Sequence, residues 1–343
     1  MLISPKEPIL LLNHYPRALV SLMAQHGVSQ KEMLLGTQID PALFAKSQAA
    51  TEATISYAQY GVLIMNAIRA YPHESLGLAF GKYLHITQHG MLGVAAMTSE
   101  NLGGAIAILE KYYRLLSPVI TLKTQVVGEQ CIGRAEEAWD IGPLQVLAVE
   151  TFFSGLYENC GFIVGELPPA EFYFRHSAPD YSHLYKDVFG DKCHFDCASD
   201  QIVFHKDWLE RPLVWSNPVT CKQALAFCDQ QLETINGHVN LLAKLRDLPV
   251  VTKGKTLPLD AAAQALNMSG RSLRRHLKAL NTSYQRVVDN LKAELAEEML
   301  RDSNRSVVEI ATALGFGDVA NFRKAFKRWL GKTPSEYRKA LNI

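Results

Sequence analysis

The chain has 343 residues, 48% of them apolar and 20% charged, an ordinary globular composition that excludes collagen-like and disordered classes and favours about two domains. Its longest apolar run, Leu144 to Val164, contains Glu150 and Glu158, so no stretch of roughly 20 uncharged apolar residues is available to cross a membrane. The net charge of +1 hides an asymmetry: residues 1–250 carry 18 Lys+Arg against 25 Asp+Glu, whereas residues 251–343 carry 17 against 9. A basic module on an acidic body points to nucleic acid, because Lys and Arg displace counterions from phosphate.

The opening segment MLISPKEPILLLNHYP places a Pro and a Glu where a signal peptide would be apolar, so export is not expected. Six cysteines spread over a long chain read as reduced thiols of a cytoplasmic protein. Apolar periodicity predicts helices over Pro16 to Gln25, Tyr57 to Arg69, Leu76 to Leu84, Leu102 to Leu116 and Leu144 to Val164. Strands are expected over Val119 to Val127, Gln130 to Ala135, Glu171 to His176 and Gln201 to His205, where β-branched and aromatic residues concentrate. Residues 1–235 therefore read as an α+β domain, helices first.

Within that domain, Cys193-His194-Phe195-Asp196-Cys197 offers zinc donors. Neighbouring residues of a strand point to opposite sides, so the set does not converge and no metal is expected. No H-E-x-x-H or G-x-S-x-G motif occurs. Gly315-Phe316-Gly317 with Ala320 has dinucleotide-loop spacing but no preceding strand. Gly254-Lys255-Thr256 and Gly331-Lys332-Thr333 lack the first Gly of a phosphate loop, since Pro249 and Phe326 stand there. The expectation is a protein that is not an enzyme and carries no cofactor. His89 and Arg134 stand as candidate ligand contacts, with structural roles as the alternative for both.

Farther along, Phe227, Leu232, Ile235, Val239, Leu242 and Leu245 have helical spacing that would bridge to a linker over Leu248 to Pro258, which holds two prolines and a glycine. Residues 236–258 are expected to be this bridge and linker. Residues 259–343 contain an internal repeat. Ala263, Leu266 and Met268 match Ala311, Leu314 and Phe316 at an offset of 48. Beyond the turn the offset is 49, pairing Leu273, Arg274, Arg275, Leu277 and Lys278 with Phe322, Arg323, Lys324, Phe326 and Lys327.

Each copy reads as helix, tight turn, helix. Ser269 is the expected N-cap in the first copy and Asp318 a cap or first-turn anion in the second. Leu273, Leu277 and Leu280 form one buried face; Phe322, Ala325, Phe326 and Trp329 form the other. The opposite faces carry Arg271, Arg274, Arg275 and Lys278, and Asn321, Arg323, Lys324, Lys327 and Arg328. One cationic face is as often a solvated surface; two in register suit a second helix laid in the major groove. Between the copies, Tyr284 to Arg301 is a helical spacer of roughly 27 Å, near the roughly 34 Å of a DNA turn. Thr333, Pro334 and Glu336 start a closing helix with a capping box.

Over roughly Val239 to Asn342 these residues resemble the AraC/XylS family of bacterial transcription regulators. The pattern stands as Ile310-Ala311, Leu314-Gly315-Phe316, Phe322, Ala325-Phe326-Lys327, Gly331, Thr333-Pro334 and Tyr337-Arg338, with Ser269, Arg271, Leu273 and Arg275 in the first unit. The resemblance implies an all-α domain of two helix-turn-helix units joined by a long spacer helix. It makes Arg271, Arg274 and Arg275 the first base-reading set and Ala320, Asn321 and Lys324 the second, with Arg323 and Lys327 nearer phosphate. Gly270, Asn281, Lys292 and Gly317 depart from the family pattern, which bears on sequence preference and local rigidity rather than the fold.

Upstream, His89-Gly90-Met91-Leu92-Gly93-Val94-Ala95-Ala96-Met97-Thr98-Ser99, then Leu102 and Ala105, resembles the arabinose-binding-type sensor domain over roughly residues 15 to 210. No cluster of Trp with paired carboxylates marks a sugar site. Together the resemblances imply a sequence-specific regulator, more often an activator, whose partners are double-stranded promoter DNA, a small-molecule effector, RNA polymerase and a second copy of itself. Two rivals stay open: a DNA-tethered enzyme such as a repair methyltransferase-like fusion, which needs an activated Cys, and a non-specific architectural DNA-binding protein.

Overall fold

The computed structural model describes residues 10–12, 14–44, 54–73, 75–117, 119–138, 141–249, 251–252, 255–280, 282–301 and 305–340. The opening residues 1–9, Gly254 and Asn281, singled out above, lie outside these. The chain divides into two compact units, one ending at Ile235 and one beginning at Asn236.

In the first unit Leu10–Leu12 (β1) pairs antiparallel with Thr54–Ser56 (β2). His14–Gln25 (α1) buries Leu19, Leu22 and Met23 on one stripe, and Gln30–Met33 (α2) is closed by a capping box between Ser29 and Glu32. Tyr57–Ala70 (α3) follows β2 directly. Leu76–Tyr83 (α4) begins at Ser75, whose Oγ accepts from Leu78 N at 3.2 Å. Gly90–Met97 (α5) and Leu102–Tyr112 (α6) come next. The helix predicted to Leu116 stops at Tyr112 and tightens into a 3-10 turn over Tyr113–Leu115; Pro118 disfavours α conformation at Ser117 just beyond.

Ile120–Val127 (β3) and Gln130–Glu137 (β4) form a hairpin in full register, Ile120 opposite Glu137 and Val127 opposite Gln130. Gln145–Val164 (α7) is the central helix and ends at Gly165 in the left-handed region, φ 91°. Ala170–Tyr173 (β5), shorter than predicted, His183–Phe189 (α8), Cys193–His194 (β6) and Asp200–His205 (β7) complete a five-stranded sheet of order β3-β4-β7-β5-β6. Only the β5–β6 pairing is parallel. The core of this unit includes Phe153, Phe172, Phe174 and Tyr185, all essentially inaccessible to solvent.

Helices α4 and α7 touch through glycines. A Cβ on Gly81 would fall 1.8 Å from Ser154 Oγ and 2.5 Å from the Thr151 carbonyl oxygen, so no larger residue fits without displacing backbone. That close approach lets α7 run beside α4 and present its other side chains to the space under α6.

Pro218–Asp247 (α9) is one helix that carries the helical spacing read from Phe227 to Leu245. The stretch read as a linker holds an antiparallel pair, Val251–Thr252 (β8) with Lys255–Thr256 (β9), because its Val and Thr residues favour the pleated conformation. Leu259–Ala265 (α10), Gly270–Ala279 (α11), Tyr284–Arg301 (α12), Val307–Ala313 (α13), Val319–Leu330 (α14) and Pro334–Ala340 (α15) make up the rest. The molecule is thus an α+β unit followed by a helical unit. No helix among the described residues is long and apolar enough to cross a membrane.

Candidate nucleic-acid interface and sensor cavity

The repeat read in the sequence is a repeat of hydrogen bonds. At the first turn Met268 N donates to Ala263 O at 3.0 Å, and at the second Phe316 N donates to Ala311 O at 2.9 Å. The residue just before each donor is left-handed, Asn267 with φ 56° and Gly315 with φ 80°, a conformation that Asn and Gly tolerate best. Both α11 and α14 then start at side-chain caps: Ser269 Oγ accepts from Ser272 N at 3.1 Å and Asp318 Oδ1 from Asn321 N at 2.7 Å. The inserted residue that shifts the offset from 48 to 49 is therefore Gly317, between Phe316 and the cap.

The inward faces differ in bulk. Leu273, Leu277 and Leu280 fill the first copy; Phe322, Ala325 and Phe326 fill the second, with Phe316 and Phe322 at 5.4 Å edge to face. All nine residues assigned to DNA, namely Arg271, Arg274, Arg275, Lys278, Ala320, Asn321, Arg323, Lys324 and Lys327, are exposed. The seven cations among them make no ion pair or side-chain hydrogen bond among the described residues. Two outward side chains of α14 are tethered: Asn321 Nδ2 donates to Asp318 Oδ2, and Arg328 pairs with Asp289 at 3.0 Å. Lys292, the departure noted on the spacer, sits 5.0 Å over the Phe316 ring, and burial holds its ammonium below the usual lysine range.

The second copy packs on the spacer as one cluster, with Ala296 and Leu300 of α12 against Ile310, Leu314, Phe322 and Phe326. Arg338 fastens the closing helix, its Nε donating to Leu300 O at 3.2 Å and its Nη2 to Arg305 O at 2.6 Å. Thr333 and Glu336 form the predicted capping box. Arg246 grips Glu294 with one guanidinium nitrogen at 2.6 and 2.8 Å from the two carboxylate oxygens, fixing the end of α9 to the spacer.

In the first unit residues of the sheet, α6 and α7 line a cavity of about 80 Å³. Leu102, Ile106, Leu109, Leu122, Phe152 and Phe204 are among its wall residues, and no Asp, Glu, Lys or Arg lines it among the described residues. At one side Tyr15 Oη lies 3.0 Å from His89 Nδ1 and 3.5 Å from Tyr113 Oη, and Asn159 Nδ2 lies 3.3 Å from His89 Nε2. Asn159 also donates to Leu84 O and Gly155 O. Burial, then the nearby His14, drives the His89 imidazole down to about 4, so it is neutral near pH 7. Of the two candidate ligand contacts, His89 is in this wall. Arg134 is not; it reaches Gln201 on the sheet at 3.4 Å. Tyr15, Tyr113 and Asn159 were not singled out from sequence, since no local pattern ties residues so far apart.

The Cys193 to Cys197 run does not converge. Cys193 Sγ approaches Gly190 O, His194 stacks on Tyr173 at 4.7 Å, Asp196 accepts from Ser177 Oγ, and Cys197 Sγ approaches Phe195 O. Among the described residues no group of three His, Cys, Asp or Glu could hold a metal ion. Burial pushes the thiols of Cys131, Cys193 and Cys228 up to about 11 and that of Cys160 to about 12, the reverse of an activated nucleophile.

Two matched turns followed by helices with exposed cations, in a chain whose other unit holds an apolar cavity, define a ligand-responsive DNA-binding protein. A family profile described as the arabinose-binding domain of AraC transcription regulator, N-terminal, matches residues 27–213, and a helix-turn-helix domain profile matches residues 262–340. The chain belongs to the AraC family of transcription regulators. It is 34% identical over 327 residues to the ornithine utilization regulator of Pseudomonas aeruginosa, covering 95% of each chain. The regulator VqsM of the same organism is 24% identical over 275 residues, 78% of this chain and 84% of that one. A crystal structure of the transcriptional regulator CdpR from Pseudomonas aeruginosa aligns with 95% of this chain and 98% of its own, at 19% identity and a TM-score of 0.45.

Proposed function

We propose that this chain reads two successive major grooves of promoter DNA. Arg271, Arg274 and Arg275 take the first groove and Ala320, Asn321 and Lys324 the second, with Lys278, Arg323 and Lys327 on phosphate. In this reading residues 1–235 sense the effector and pair two copies, 236–258 connect, and 259–343 bind DNA. The observation that carries it is the pair of equivalent turn hydrogen bonds, each followed by a capped helix, and on these two helices the seven cations named above have no ion pair among the described residues. Asn321 reaches a base only by releasing Asp318, which makes the second helix the one that adjusts on binding.

The test is selection of binding sites from random duplexes, followed by Arg275→Ala and Lys324→Ala on the selected site. Each should cost about 1–3 kcal/mol and relax preference at one base position. Equal weakening on random DNA would make them phosphate contacts, and failure to enrich any sequence would favour the architectural reading.

Family membership supports transcription activation through RNA polymerase and action in the cytoplasm where the promoter is. Pairing is supported by an exposed apolar cluster on the first unit, where Phe162 and Trp215 stack at 6.4 Å beside Leu167 and Val214. The raised thiols weigh against a Cys-dependent enzyme. The name of the Pseudomonas aeruginosa relative makes ornithine the first molecule to test as an effector.

A further inference from the structure

We infer that the cavity under α6 and α7 binds an uncharged, mainly apolar molecule with a single hydrogen-bonding group, phenol-like in chemistry, held by the Tyr15–Tyr113 hydroxyls. This deepens the regulator reading, on which it rests, by assigning the class of effector. Three observations converge. The wall is mostly aliphatic and aromatic and offers no counter-charge among the described residues. One polar group of the lining is linked, with Tyr15 Oη between His89 and Tyr113, whereas the hydroxyls of Thr124, Thr151 and Tyr157 are bonded to Glu110, Gly77 O and Pro168 O. A second apolar cavity of about 50 Å³ shares Tyr15, Tyr113, Thr151 and Phe152 with the first, and it too has no Asp, Glu, Lys or Arg in its lining among the described residues.

Size follows from the space available. An apolar cavity of roughly 150 Å³ holds one benzene ring, and the larger cavity of about 80 Å³ taken with the smaller one of about 50 Å³ is of that order. A single aromatic ring with small substituents is the upper limit. Charge decides the class more sharply. An amino acid with charged ends would have to leave its hydration shell for a wall that returns neither a carboxylate nor a guanidinium, and burial of an unpaired charge is costly. The neutral His89 supplies an acceptor or a donor but no positive charge for a carboxylate. A sugar fares little better, because most of its hydroxyls would face Leu, Ile and Phe without partners.

Tyr113 is the discriminating residue. Its hydroxyl has one contact among the described residues, the 3.5 Å approach of Tyr15 Oη, which leaves it room to bond a ligand oxygen. Calorimetry on the full chain with p-cresol, toluene, L-ornithine and L-arabinose tests the assignment. Saturable binding is expected for p-cresol and toluene and not for the other two. Tyr113→Phe should weaken p-cresol about fivefold, the loss of one ordinary hydrogen bond, and leave toluene unchanged. Ala105→Leu should abolish binding of both by filling the cavity, with near-ultraviolet circular dichroism reporting that the fold is kept. Binding of L-ornithine or L-arabinose without the aromatics, aromatic binding indifferent to both variants, or no binding at all would overturn the inference. Affinity for selected DNA, measured on the same preparations, reports separately on the regulator reading: DNA binding without any of these ligands removes only the effector class, and loss of DNA binding removes the reading beneath it.

Discussion

The two units handle polar chemistry in opposite ways. The DNA-binding unit displays permanent charge on capped helices and leaves seven of those cations without an ion pair among the described residues, which suits a polyanion as the proposed partner. The cavity of the sensor unit keeps several polar groups among apolar walls, where burial strips His89 of charge and sets Tyr15 and Asn159 against it. The difference teaches that recognition of phosphate and recognition of a small apolar molecule call for contrary electrostatics, met here within one chain.

The contrast can be broken most forcefully at the core of the second helix-turn-helix copy. Phe326 is fully buried among Phe322, Tyr337 and the spacer, and Phe326→Ala should cost about 3–5 kcal/mol. DNA affinity should collapse while p-cresol binding persists; joint loss would show that the units do not act separately. Leu277→Ala in the first copy should follow the same pattern at about 2–5 kcal/mol.

Acid should strike the sensor unit instead. His89 titrates near 4 in the fold and near 6.5 when unfolded, so between those values the unfolded chain holds a proton the folded chain lacks. Stability then falls as pH is lowered through that window, by about 3 kcal/mol in all. Thermal melts from pH 8 to pH 5 should show the slope, and His89→Gln should flatten it. A slope unchanged in that variant would assign it to other groups, of which His14 is the nearest candidate.

The smallest effects sharpen the comparison between the two reading helices. Ser269→Ala and Asp318→Ala should each cost about 1 kcal/mol as lost N-caps, measured by denaturant unfolding. Asp318→Ala also frees the Asn321 amide, so its DNA affinity should fall less than its stability suggests. Matching losses of DNA affinity in the two variants would show the tether to be irrelevant.

The helix-turn-helix copies were legible because their signals are short-range. Ala263 and Met268, or Ala311 and Phe316, are partners five residues apart, and the caps act over three. Spacing in the sequence is spacing in space for such contacts. The same holds for the long helices, where period alone located α7 and α12 to within a residue or so. Less was readable where neighbours compete: the stretch expected to be a linker holds a strand pair that its few Val and Thr residues did not announce.

What the amino-acid order determined by itself was the repeat, the capped cationic helices and the division into an acidic and a basic part, since local hydrogen bonds and side-chain periodicity decide all three. What only the tertiary structure decided was the cavity. Tyr15, His89, Tyr113 and Asn159 come from separate stretches of the chain, and their meeting depends on how closely α4 lies on α7, which Gly81 permits. Packing across such distances follows from the shape of the whole core rather than from any run of residues.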